Sequence, residues 1–171
     1  MNLKMSIMRK IKLITLATIC LVFLVFRGFS QDSIPELNRQ VIQYVKTTIG
    51  KKVDRGECWD LANGALTLIK ADWDLQYKYG NLVNYKKEVV YPGDIIQFEG
   101  VKVKYKKGNA TYTETMDHHT AIVYRVISPG VFELAHQNTG FSGRKVGLST
   151  LDISTIIKGK MSIYRPVKKR N

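Results

Sequence analysis

Cysteine is almost absent from this 171-residue chain. Its two residues, Cys20 and Cys58, are too few for the disulfide framework that staples many small secreted domains. Histidine is nearly as scarce, with three: His118, His119 and His136. No pair among these and Cys58 has the i, i+2 or i, i+4 spacing of a known zinc motif, so neither a metal nor another cofactor is expected. Acids are outnumbered, 14 against 27 basic residues. No apolar run reaches the roughly 20 residues that span a bilayer. Repeats, low-complexity tracts and linkers are missing too, which leaves a single domain after the N-terminus.

That N-terminus has its own pattern. Lys4, Arg9, Lys10 and Lys12 come with no acid, Leu13 to Phe26 is an almost unbroken apolar run, and Gly28 and Ser30 are small residues before Gln31. A basic start, a short apolar core and small residues at the cut describe a secretory signal peptide. An uncleaved signal anchor, favoured by Arg27, is the competing reading. The expected division is a signal peptide over 1–30 and one domain over 31–171, in a periplasmic or secreted protein. Cys20 leaves with the signal, and Cys58 becomes the lone cysteine. Residues 1–30 carry five of the basic residues and no acid, so the remainder holds 22 basic and 14 acidic side chains, a net +8. In an exported, monomeric protein such an excess favours an anionic envelope polymer or phospholipid surface, although a solvated basic surface is as good an account. No nucleic-acid motif is present.

Ser33-Ile34-Pro35-Glu36 has the form of a capping box with proline in the first turn. Leu37, Val41, Tyr44, Val45 and Ile49 then recur at helical spacing until Gly50. A second helix is expected from about Cys58 to Lys70, with Leu61, Ala62, Ala65, Leu66 and Ile69 as its apolar stripe. From Tyr91 the signals change to strands. Pro92-Gly93-Asp94 is a turn before the strand Ile95 to Phe98. Val101 to Lys106 and Ala110 to Thr115 alternate around Lys107-Gly108-Asn109 as a hairpin. His119 to Ile127, Val131 to Gln137 and Met161 to Pro166 complete the set. Two helices followed by five or six mostly antiparallel strands make an α+β domain.

The chemistry centres on Gly56-Glu57-Cys58-Trp59-Asp60. A free cysteine is usually a small buried hydrophobe, but this one has the polar flanks Glu57 and Asp60 and starts a helix. First-turn N–H groups lower a thiol pKa, as does a neighbouring imidazolium, and the same groups can hold an oxyanion. His119 is expected at the mouth of a strand, placed to act as general base. In the next strand the period of two puts His136 and Asn138 on one face and Gln137 on the other. Either His136 or Asn138 is then the acceptor that orients His119. His118, on the strand face opposite His119, is expected to be a bystander. The aromatic segment containing Trp73, Tyr77, Tyr79, Tyr85 and Tyr91 is as consistent with core packing as with a ligand groove.

Gly56-Glu57-Cys58-Trp59, Pro92-Gly93-Asp94-Ile95-Ile96-Gln97-Phe98, His119-Thr120-Ala121-Ile122-Val123 and His136-Gln137-Asn138 resemble, in content and order, the CHAP and NlpC-type branches of the papain-like cysteine peptidases. Trp59-Asp60-Leu61-Ala62-Asn63 and Ile163-Tyr164-Arg165-Pro166 are closer to a divergent group of cysteine-proteinase-fold domains that also occurs in eukaryotic proteins. The resemblance covers roughly Ile34 to Pro166. It implies a papain-like fold and a thiol amidase or endopeptidase acting on peptidoglycan peptides or another amide. It also implies Cys58 as nucleophile, His119 as base, His136 as third polar residue, Asn138 as a supporting one, and a structural Asp94. Three other outcomes share these residues: a catalytically silent domain that binds peptide or glycan, an interbacterial amidase effector, and acyl transfer in place of hydrolysis.

Overall fold

The structure is a computed structural model that describes residues 33–169. The expected signal peptide lies outside the described residues. Two helices come first, α1 (Glu36–Thr48) and α2 (Cys58–Leu68). Eight strands follow: β1 (Ala71–Asp72), β2 (Asn81–Val83), β3 (Ile95–Lys107), β4 (Ala110–Ser128), β5 (Val131–His136), β6 (Gly147–Asp152), β7 (Ile156–Arg165) and β8 (Val167–Lys168). A single 3₁₀ turn, Ile153–Thr155, joins β6 to β7. Six strands form one antiparallel sheet in the order β2-β7-β3-β4-β5-β6, and β1 pairs with β8 beside it. This is the α+β arrangement of a divergent papain-like domain.

Alternation along the central strands divides the interior into two cores. Ile95, Ile122 and Ala135 join Val41 and Val45 of α1 and Leu61, Ala65 and Leu66 of α2 on one face. Ile96, Ala121, Val123 and Leu134 point the other way, into a second core with Phe98, Phe132 and Ile163. Each strand is therefore apolar on both faces, as a sheet covered on both sides must be.

Several sequence expectations are corrected. The residue flanking α1 is Pro35, in an extended conformation and without a side-chain cap, so Ser33 does not close a capping box. The helix needs none, because Val41, Val45 and Leu37 anchor its buried stripe. The strand from Ile95 and the hairpin arm from Val101 are one element, β3, with Gly100 at φ +59 absorbing the bend between them. A Cβ on Gly159 of β7 would stand 2.3 Å from the Gly100 carbonyl oxygen, so close approach requires glycine at 159, whereas at 100 only the positive φ favours it. Likewise the second arm of the hairpin and the histidine strand are one 19-residue strand, β4. His119 is consequently in mid-strand, not at its mouth.

Asp94 locks the turn before β3. Its Oδ1 accepts hydrogen bonds from Asn38 Nδ2 at 2.8 Å and Arg165 Nε at 3.1 Å. Its Oδ2 accepts from the Tyr91 N–H at 2.9 Å and from Arg165 Nη2 at 2.9 Å. The carboxylate is fully buried, and the Arg165 guanidinium also packs 4.6 Å above the Tyr91 ring. One side chain thus joins α1, the turn and the last long strand. Removing one member of a buried pair leaves its partner uncompensated, which costs about 3–5 kcal/mol. Asp94→Ala is expected to lower unfolding free energy by about 3 kcal/mol, read from urea denaturation at neutral pH.

Candidate active site

Cys58 is the first residue of α2, and Glu57 is its N-cap. The preceding chain is held by side chains from three directions. Asp60, buried in the first turn, accepts the Glu57 N–H at 3.0 Å and the Arg55 guanidinium at 2.6 Å. Gln137 is fully buried. Its amide donates to the carbonyls of Glu57 at 2.8 Å and Val53 at 3.0 Å, while its Oε1 accepts the Val53 N–H at 3.1 Å. Asn138, at φ +60, donates to the Glu57 carboxylate at 2.7 Å, and Arg144 pairs with the other Glu57 oxygen at 3.3 Å. Gly56 at φ +88 makes the turn, and a Cβ there would stand 2.7 Å from Arg144 Cβ. Glu57, Asp60, Gln137 and Asn138 are thereby gathered around the start of α2.

The thiol is half-buried and unpaired by any disulfide. It lies against β4, with Sγ 3.9 Å from the His118 carbonyl oxygen. Burial raises its pKa, and the backbone N–H groups of Thr120 and Trp59 oppose that only in part. The expected depression by a helix N-terminus and an imidazolium is therefore corrected. Desolvation outweighs the helix.

His119 and His136 lie together on the face of the sheet that carries the second core. Nε2 of His119 is 2.8 Å from Nδ1 of His136, and Nε2 of His136 is 2.8 Å from the Ser149 hydroxyl. The His119 ring stacks on Phe98, and the His136 ring packs against Phe141. Burial pushes His119 down to about 4 and His136 to about 3, so both are neutral at pH 7. Between two neutral rings one nitrogen must donate and the other accept. If His119 donates from Nε2, its Nδ1 is left as a free base, and His136 can donate in turn to Ser149. Of the two residues expected to orient His119, His136 holds the ring and Asn138 holds Glu57.

His118 is no bystander. It shares its strand face with Thr120 and Ile122, the face covered by α2, and it lines the pocket into which Cys58 opens. That pocket measures about 410 Å³, and Arg55, Glu57, Trp59, Leu75 and Tyr77 complete most of its wall. The His118 ring stands edge-on to Tyr77 at 4.2 Å, with Nε2 3.4 Å from Gln97 Nε2. Gln97 is oriented by Tyr79 and Thr120, both of which donate to its Oε1, at 3.2 and 2.8 Å. Sequence reasoning missed this network. Its one legible signal was the alternation His118, Thr120, Ile122, but Ala121 and Val123 are equally apolar, so the pattern alone does not say which face the helix covers. Among the described residues no group of three or more His, Cys, Asp or Glu side chains is placed to hold a metal ion, and no helix is long and apolar enough to cross a membrane.

A cysteine on the first turn of a helix, packed on an antiparallel sheet that carries histidines, defines a cysteine-proteinase fold. The chain belongs to the AIM3/BBC1 cysteine proteinase-fold domain family, whose model matches residues 33–171. No curated protein matches it. Two crystal structures of Ly7917 are similar to it, one of them with the hydrolyzing product of MDP. Each is 17% identical with a TM-score of 0.47, and the alignments cover 74% and 75% of this chain. This chain spans 62% of the Ly7917 chain.

The two buried imidazoles tie stability to pH. Unfolded rings take up protons near the ordinary value of about 6.5, whereas the folded rings resist until about 4 and 3. Stability is therefore complete above about pH 6.5 and falls as pH drops from there towards 4, because the unfolded chain binds protons first. Urea midpoints measured between pH 7 and 4.5 are expected to fall, and to fall less steeply in His136→Gln.

Proposed function

We propose that the protein is an exported thiol hydrolase that cleaves an amide bond, with peptides of peptidoglycan as the substrate class. The observation that carries this reading is a helix-terminal thiol opening on a pocket that an imidazole, His118, also lines. Cys58 attacks the carbonyl as His118, which lines the same pocket on the α2 face of β4, takes the thiol proton; His119, the base expected from the sequence, lies on the opposite face of the strand. The first-turn N–H groups steady the oxyanion. His118 returns the proton to the leaving amine, and water then releases the acyl group from sulfur with His118 again as base. His136 holds His119 within the second core. Peptidoglycan and export rest on the resemblance and on the N-terminal pattern, and the excess of basic side chains suits an anionic envelope polymer.

A thiol that burial keeps protonated makes the resting site unlike a preformed ion pair. Attack then requires proton transfer in the same step, which general-base catalysis supplies. The same neutrality favours a second reading, a silent domain that binds peptide in the pocket, since the thiol hydrogen-bonds to a carbonyl and not to an imidazole nitrogen.

Peptidoglycan fragments incubated with purified protein separate the two. Cys58→Ala is expected to abolish product, and His118→Ala to reduce kcat by at least about 100-fold, the scale of a lost general base. Intact hydrolysis by Cys58→Ala would falsify the mechanism, and equal binding without product from either form would establish the silent domain. His119→Ala is the control for the base: if it lowers kcat about 100-fold while His118→Ala does not, the proton acceptor is not the ring on the pocket side. Alkylation of Cys58 is expected to rise only as pH passes the ordinary thiol range of about 8.5, because burial raises this thiol.

A further inference from the structure

Leu75 is held in a conformation that its side chain does not favour. Its φ of +58 lies in the left-handed region, where the Cβ of an L-residue meets the neighbouring carbonyl. Strain of this kind is ordinarily balanced by packing, yet Leu75 is 67% exposed. The segment around it is firmly built. Asp74 Oδ1 accepts the N–H groups of Gln76 at 2.8 Å and Lys78 at 3.0 Å, and the Asp74 N–H donates to the Lys78 carbonyl at 3.2 Å. The Trp59 indole N–H donates to the Gln76 carbonyl, which ties the segment to α2 one residue beyond the thiol. Tyr77 packs edge-on against His118. Between these two anchors, Leu75 is displayed on the wall of the Cys58 pocket.

A strained, exposed leucine at a nucleophile's pocket is costly to folding and useful only to something that enters the pocket. The remaining wall divides by character. Leu75, Trp59 and Tyr77 are apolar or aromatic, whereas Arg55 and Glu57 are charged and already paired, Arg55 with Asp60 and Glu57 with Arg144. The charges are thus largely satisfied within the protein, and the apolar side is the one left uncovered. We propose that Leu75 is a specificity-determining residue that receives an apolar side chain on the acyl side of the scissile amide. The inference rests on Cys58 as nucleophile and narrows the substrate class to amides whose acyl residue is aliphatic or aromatic.

The test reads the thiol directly and needs no turnover. Purified protein is treated with N-acetyl-leucyl and N-acetyl-glycyl chloromethyl ketones, in which the thiolate sulfur forms a bond to the methylene carbon and chloride leaves. Each rate is divided by the same variant's rate with iodoacetamide. A leucyl preference of about tenfold is expected in the parent, the lower end of what a few methylenes contribute in an apolar pocket. In Leu75→Gly, where φ +58 carries no strain, that preference is expected to collapse towards unity with a Tm equal to or above the parent's. An unchanged leucyl preference, or a Tm several degrees lower, would overturn the proposal and make Leu75 structural. Ordinary iodoacetamide labelling without any leucyl preference in the parent sinks the inference alone. Failure of Cys58 to react with all three reagents, in a protein that binds peptidoglycan fragments, sinks the thiol mechanism and the inference with it.

Discussion

The buried amide of Gln137 is the contact on which the position of the thiol depends. It spans the chain from the end of β5 to the residues before α2, using both its donor and its acceptor capacity on the backbone of Val53 and Glu57. The Val53 and Glu57 carbonyls also accept the Gly56 and Asp60 N–H groups, so Gln137 supplies the acceptor for the Val53 N–H and a second bond to each carbonyl. By doing so Gln137 sets where α2 starts relative to the sheet. Asp60 and Asn138 then fix Glu57 from within the helix and from the loop after β5. With Glu57 held on all sides, Cys58 has one available placement, against the backbone of β4. A merely polar replacement would not serve, because the site requires one acceptor and two donors in the plane of a single amide.

A sheet with two covered faces sorts its histidines by parity. His118 goes with Thr120 and Ile122 to the face of α2, and His119 goes with Ala121 and Val123 to the second core. Each ring then takes the surroundings of its face. His119 is packed against Phe98 and bonded to another imidazole, and desolvation keeps it uncharged. His118 borders the pocket and leans on Tyr77 and Gln97. Two adjacent residues of one type thus acquire different chemistry with no difference in local sequence. The sulfur lies at the His118 carbonyl, on the side of the strand where the His118 ring lines the same pocket.

Much of the fold was legible because local rules and packing agree in it. Helical spacing located α1 and α2 to within two residues at each end, since the same stripes, Val41 with Val45 and Leu61 with Ala65, are the ones buried. Cys58 was legible as a helix start from its polar flanks. Asp94 was legible as structural only through the family resemblance. The length of β3 and β4 was not, because Gly100 reads as a break in sequence and serves as a bend in a continuous strand. β2 and β6 were missed because their burial is irregular; Leu82, for example, lies exposed in β2. The role of Gln137 was invisible for a different reason. Its partners lie 80 and 84 residues away and are backbone groups, which carry no residue-type signal. The same holds for His118, whose place depends on which face the helices cover.

Desolvation sets the resting state of the thiol and of the His119–His136 pair. A half-buried sulfur and two nearly buried imidazoles all disfavour charge, so protons stay where neutrality leaves them: on sulfur, and on one nitrogen of each ring. That arrangement protects the thiol, because the neutral form reacts slowly with oxidants and electrophiles. The cost is that any charge separation must come from the substrate complex. An acyl group entering the pocket would bring a carbonyl whose developing oxyanion faces the first turn of α2, where the N–H groups carry partial positive charge. Field from the helix, modest for a thiolate that burial opposes, would act fully on an oxyanion that no water shields. On the proposed reading as a thiol hydrolase, charge is stabilised late, on the carbonyl oxygen, in preference to early, on the sulfur.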